Sequence, residues 1–177
     1  MMIETERLIL RKYTLDDIEA AYQLNLDAEV SRHTGDGGVQ SREAISERIH
    51  KDVFGDYEKH GFGRLAVIYK PDNVFIGFSG LKFLEDYQEV DLGYRFRRDY
   101  WGRGIATESG KASVQYGFDT LKLDHIIGLV YPENVGSVRV LEKLWFQWEK
   151  WVVEDGKDAG KYRLDRQSFE ERRRNEK

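Results

Sequence analysis

Two glycines, Gly102 and Gly104, stand between an alternating, strand-like run at Glu89–Phe96 and a helical run that begins at Ile105. Glycine allows close backbone approach, and a helix N-terminus contributes free N–H groups. Such a junction suits an anion, a phosphate above all. The spacing alone does not decide the matter. The chain has 17 glycines, and Gly-x-Gly recurs at Gly35/Gly37 and Gly61/Gly63, so a plain strand-to-helix turn stays open. Two phosphate motifs are excluded. A P-loop ending at Gly110-Lys111 would need glycine at Ile105 and a hydroxyl at Ala112, and a dinucleotide fingerprint would need glycine at Thr107. The chain has no cysteine, which removes thiol nucleophiles, disulfides and Cys zinc sites. His33, His50, His60 and His125 lack ligand spacing, and there is no Gly-x-Ser-x-Gly elbow.

The elements that must position this junction follow from periodicity and turn residues. Arg7–Tyr13 is predicted as a strand, Thr14–Asp17 as a helix start, and Ser41 as the cap of a second helix closed by Gly61. Strands are expected at Phe62–Tyr69, Val74–Phe83 and Glu89–Phe96, and a helix from the glycines to about Leu121. A buried strand at His125–Val130 precedes a helix running from Pro132-Glu133-Asn134 to near Leu144. Phe146–Val153 and Lys161–Arg166 close the fold as a hairpin around Asp155-Gly156. The fold class is therefore α+β, a mixed α/β arrangement of six to seven strands with about four flanking helices. One domain is expected over residues 1–167. Ser168–Lys177 lacks an apolar pattern and is expected to be a solvated or frayed tail.

A hydrophobic fraction of 40% in 177 residues is enough for one real core. The net charge of −4 disfavours general nucleic-acid binding. The N-terminus lacks the apolar core of a signal peptide, and no run is long enough to span a membrane, so a cytoplasmic protein without a membrane partner is expected.

The stretch Asp91-Leu92-Gly93-Tyr94-Arg95-Phe96-Arg97-Arg98-Asp99-Tyr100-Trp101-Gly102-Arg103-Gly104-Ile105-Ala106-Thr107-Glu108 resembles the acetyl-CoA motif of the GNAT superfamily. The match extends to Glu4–Arg11 and to Pro132–Leu144, which contains Asn134, Ser137, Leu141 and Lys143, and it is similar to the ribosomal-protein N-terminal acetyltransferase (RimJ/RimL-type) branch. The resemblance implies a single GNAT-type domain whose sheet splays after its fourth strand, with acetyl-CoA as co-substrate and no metal. It further implies that the pantetheine arm pairs with Phe96, Arg97 and Arg98. Trp101, Gly102, Arg103, Gly104, Ile105, Ala106 and Thr107 would hold the pyrophosphate. Asn134 and Ser137 would face the reactive end, with Arg139 and Lys143 as candidates for the adenosine phosphates; these two are also four residues apart on a helix, where a solvated face is the plain alternative.

The implied reaction is acetyl transfer to a primary amine, either a protein N-terminus or a small amine, by direct attack. A non-catalytic acyl-CoA-binding module and a nucleotide-binding switch are the alternatives. Such transfer needs a base for the ammonium proton and a proton for the thiolate. Asp91 and then Glu89 are the candidate bases, sharing one strand face opposite Val90, Leu92 and Tyr94, and Ser137 is the candidate proton donor. Two residues depart from the motif: Asp99 stands where Gln or Arg is usual, and Trp145 where a helix-ending glycine is usual. Either a monomer or a homodimer fits.

Overall fold

The structure, a computed structural model, describes residues 1–34, 38 and 40–176. Residues 35–37 of the loop expected at 34–38 lie outside the described residues, as do 39 and 177. An eight-stranded mixed sheet carries the fold, in the order β1-β2-β3-β4-β5-β6-β8-β7. In chain order the strands are β1 (Met2–Glu4), β2 (Leu8–Arg11), β3 (Arg64–Tyr69), β4 (Val74–Leu84), β5 (Glu89–Phe96), β6 (His125–Val130), β7 (Gln147–Glu154) and β8 (Lys157–Asp165). The helices are α1 (Ile18–Leu26), α2 (Ala28–Ser31), α3 (Arg42–Arg48), α4 (Gly55–His60), α5 (Ile105–Asp119), α6 (Val135–Lys143) and α7 (Arg166–Asn175), with a π-helical stretch at Ile49–Phe54 joining α3 to α4.

The helix starts arise from local capping. Asp17 accepts from the Thr14 N–H, and the Ser41 hydroxyl accepts from the Ala44 N–H. Gly61 closes α4 at φ 77°, in the left-handed region. The strand between Phe62 and Tyr69 is two residues shorter than expected, and β1 adds a short edge strand that periodicity cannot register in three residues.

Alternation along the strands divides the core into two faces. Leu8, Leu10, Leu65, Val67, Ile76, Phe96 and Ile105 pack under the start of α5, while Leu81, Val90, Leu92, Val114, Phe118 and Ile126 pack farther along it. On the opposite face Tyr13, Ile18, Ile45, Ile49 and Ala66 form a third cluster beneath α1 and α3.

All strand pairs are antiparallel except β5–β6. That parallel pair is in register at Asp91↔Ile127, after which β5 runs on to Phe96 and β6 to Val130 on either side of a splay. β5 is the fourth strand of the expected set, so the splay falls where the resemblance placed it.

The C-terminal segment corrects an expectation. Ser168–Glu176 is not a frayed tail, because α7 covers most of it and Phe169 is only 4% exposed, stacked on Phe118 at 4.8 Å between ring centroids. Arg173 pairs with Asp119 at 2.7 Å. One buried ring among ten mostly charged residues leaves no visible apolar stripe.

Candidate active site

From the end of β5 the chain makes a 3₁₀ turn at Arg98–Tyr100 and then two left-handed residues, Gly102 (φ 71°) and Gly104 (φ 77°). A residue with a side chain adopts that conformation only at a cost of roughly 1–2 kcal/mol, which is the local reason for both glycines. Gly104 is the N-cap of α5, and its carbonyl accepts from Glu108 N–H at 3.0 Å. The N–H groups of Ile105, Ala106 and Thr107 therefore sit in the first turn, where an α-helix has no acceptors of its own. A Cβ placed on Gly102 would meet nothing within 4 Å, so the space beside this exposed turn is open to an incoming group. Buried Ile105 anchors the turn to the core.

A clamp that sequence reasoning did not assign to the site holds this loop from the far edge of the sheet. Arg7 directs Nε and Nη2 onto Glu108 Oε2, both at 2.7 Å, and its backbone N–H reaches Oε1 at 2.9 Å. The Thr5 hydroxyl also donates to Oε1. Arg7 Nη1 then donates to the Arg103 carbonyl at 2.9 Å, tying the glycine loop itself. Burial opposes the Glu108 charge, yet the Thr5 and Arg7 donors together hold its carboxyl below the usual range. The available signal was the Glu4–Arg11 segment, which the resemblance already included.

The cationic residues of the loop are already partnered. Arg97 pairs with Asp99 and Arg98 with Asp27, each at 2.8 Å, and Arg103 lies over the Tyr100 ring at 4.9 Å. Asp99, the departure from the motif, is thus the counter-ion of Arg97. A cavity of about 430 Å³ opens between α1–α2 and Arg97–Asp99, beside the Arg98–Asp27 pair.

The backbone of Phe96–Arg98 is less available than expected. Arg97 N–H donates to the Ile76 carbonyl at 2.9 Å, Trp101 Nε1 donates to the Phe96 carbonyl at 2.8 Å, and the carbonyls of Arg97 and Arg98 cap the 3₁₀ turn. The edge of β5 that faces the splay lies upstream of Arg97, between Asp91 and Phe96.

Asn134 and Ser137 meet at the start of α6, on the other lip of the splay. The Asn134 side-chain oxygen accepts from Ser137 N–H at 3.3 Å and so caps the helix. The Ser137 hydroxyl is engaged across the splay, where Tyr94 Oη of β5 donates to it at 2.9 Å. Burial pushes the Tyr94 phenol above its ordinary value despite this bond. Tyr94 was read only as lying on the strand face opposite Glu89 and Asp91; its pairing with Ser137, 43 residues away, carries no sequence signal. Arg139 and Lys143 are exposed on the solvent side of α6.

The two carboxylates occupy the opposite sheet face, as alternation requires, but in different surroundings. Glu89 is bound to Lys161 at 2.6 Å and to His125 at 2.9 Å. Burial raises its proton affinity, but these two partners bring it below the usual range. Asp91 is 7% exposed and pairs with Arg64 at 2.9 Å, and here burial outweighs Arg64 and lifts the carboxyl. Gly93 makes the pair possible, since a Cβ there would lie 2.4 Å from the Arg64 guanidinium. Among the described residues, no group of three or more His, Cys, Asp or Glu is placed to hold a metal ion, and no helix is long and apolar enough to cross a membrane.

Comparison with known proteins bears on the family and the fold. Residues 7–147 match the family model described as an acetyltransferase (GNAT) domain. YoaA of Bacillus subtilis, an uncharacterized N-acetyltransferase, is 32% identical over 149 residues, covering 84% of each chain. The uncharacterized N-acetyltransferase p20 of Bacillus licheniformis is 30% identical over 159 residues, covering 89% of this chain and 88% of its own. The crystal structure of a GNAT-family acetyltransferase from Bacillus anthracis superposes with a TM-score of 0.81 at 27% identity, over 94% of this chain and 99% of the other. A splayed mixed sheet with a glycine-capped helix at its mouth, matched from Arg7 to Gln147, places this chain in the GNAT acetyltransferase family.

Proposed function

We propose that this chain transfers the acetyl group of acetyl-CoA to a primary amine by direct attack, without a covalent intermediate. The observation that carries the proposal is the Tyr94–Ser137 bond across the splay, which places a hydroxyl between the two lips of the groove. The residues fit the co-substrate. The open first turn of α5 with Gly102 and Gly104 suits a pyrophosphate, the β5 edge upstream of Arg97 suits an extended amide arm, and the exposed Arg139 and Lys143 suit phosphate groups. When bound, acetyl-CoA supplies the reactive thioester.

The chain's own groups divide the proton work between the two sheet faces. Asp91 takes the ammonium proton through water: it is the carboxyl with raised proton affinity, whereas Glu89 is held anionic by Lys161 and His125 and is a poor base. Ser137, on the cofactor face, delivers a proton to the leaving sulfur.

The acceptor is a protein N-terminus or a small amine. The Glu4–Arg11 and Asn134–Lys143 segments support the ribosomal-protein N-terminal branch, which puts peptide N-termini first in a panel. Thiol release from acetyl-CoA, measured against N-terminal peptides and small polyamines, tests the proposal. Amine-dependent release with recovery of the N-acetyl product is expected. Tight acetyl-CoA binding with no amine-dependent release from any member would leave a non-catalytic binding module instead.

A further inference from the structure

We propose that Tyr94 is the positioning residue for Ser137, and that the two hydroxyls form one proton-delivery unit spanning the splay. The proposal rests on the reading of Ser137 as proton donor and extends it.

The geometry begins with what a serine hydroxyl lacks. It has one hydrogen and two lone pairs, and in the first turn of a helix it is free to rotate or to bond back to nearby backbone. At α6 the local cap is provided by Asn134, which takes the Ser137 N–H, so the hydroxyl is not needed there. Tyr94 fills one Ser137 lone pair from a fixed direction, because its ring is packed beside Phe96 with centroids 5.9 Å apart and planes 22° apart. With that lone pair occupied, the Ser137 hydrogen is turned away from the ring and into the groove.

The chemistry also favours a pair over a lone serine. An aliphatic hydroxyl is a far weaker acid than a thiol, whose ordinary pKa is about 8.5, so proton loss from serine alone would strand an alkoxide. A phenol, ordinarily about 10, stays much closer to the thiol than an aliphatic hydroxyl does, even with the upward push that burial gives Tyr94. As the N–C bond forms and the C–S bond breaks, the electron pair goes to sulfur. Asp91 passes the ammonium proton on to solvent through water, and the nitrogen sheds its second proton to water as the amide forms. Ser137 gives its proton to sulfur while taking the phenolic proton of Tyr94, which the phenolate regains from solvent. Burial keeps Tyr94 in its protonated form at neutral pH, so the unit is charged with its proton at the start of each cycle.

Tyr94→Phe, Ser137→Ala, the double variant and Ser137→Thr are compared in steady state with acetyl-CoA and the panel's best acceptor, and CoA affinity is measured by calorimetry. Tyr94→Phe is expected to lower kcat by about 10- to 100-fold while leaving CoA affinity within about 3-fold. It should add nothing further in the Ser137→Ala background, and Ser137→Thr should keep both activity and sensitivity to Tyr94→Phe. In the ligand-free chain the Tyr94 phenolic proton should exchange slowly by NMR, and fast after Ser137→Ala. An unchanged kcat in Tyr94→Phe beside a slowed Ser137→Ala would overturn this inference alone, as would fully additive losses. An unchanged kcat in Ser137→Ala would remove the parent reading and this one together.

Discussion

Asp91 and Glu89 are two residues apart on one strand face, yet their environments push them in opposite directions. Alternation along β5 was legible in the sequence and put both carboxyls on the correct face. Their partners were not legible, because Arg64 and Lys161 stand 27 and 72 positions away and reach them only through sheet topology. Asp91→Asn keeps an oxygen for Arg64 but removes the proton acceptor. Its cost in stability should stay near about 1–3 kcal/mol, the range for weakening one buried hydrogen bond, as read by thermal melting. Its cost in rate should be about 100-fold or more at neutral pH if Asp91 is the base. The pH profile distinguishes the two effects. Because the Asp91 carboxyl is raised, the parent rate should fall on an acidic limb above the usual aspartate range, and that limb should vanish in the Asn variant. A surviving limb with an unchanged rate would make Asp91 purely a strut for Arg64.

At the scale of elements, the end of α6 and the whole of α7 depend on each other. Trp145 occupies the left-handed cap position at φ 72°, where glycine is usual. The cap itself is intact: Trp145 N–H donates to the Glu142 carbonyl at 2.9 Å and Phe146 N–H to the Leu141 carbonyl at 3.0 Å. The departure seen in the sequence therefore did not move the helix end; it placed a strained tryptophan there. Trp145 packs against the core there, its ring 6.1 Å between centroids from Phe169, on the helix that composition presented as a tail. Only three-dimensional packing reveals that dependence, since α7 carries a single buried apolar residue. Phe169→Ala should destabilise the chain by about 3–5 kcal/mol, as for other buried aromatic truncations. Trp145→Gly, which relieves the backbone as it loses the ring, should cost far less. Denaturant melts of the two single variants and the double should give a coupling of at least about 0.5 kcal/mol. Strict additivity would mean that α7 does not support the cap.

Across the whole molecule, the glycine loop is held from the N-terminal end of the sequence, and this is the part of the site that local patterns conveyed least. The loop's own chemistry was legible, because glycine spacing between a strand and a helix is a local signal. The Arg7–Glu108 clamp spans 101 positions and exists only because the segment leading into β2 lies beside the start of α5. Its electrostatics lead to a specific pH dependence. Glu108 has a depressed folded-state proton affinity, so its contribution is fully present above the ordinary glutamate range and is lost as pH falls through the lower folded value. Protonation then removes the acceptor for Arg7, and Arg7 Nη1 no longer has a fixed place from which to hold the Arg103 carbonyl. CoA affinity, measured by calorimetry from pH 7 downward, should accordingly weaken only once pH falls below the ordinary glutamate range, in excess of the change shown by Glu108→Gln, which lacks the titrating group. At neutral pH that variant should bind CoA several-fold more weakly than the parent, because a neutral amide cannot accept the two-nitrogen fork of Arg7 with the same strength. Parallel pH curves for parent and variant would show that the clamp braces the fold without setting the loop.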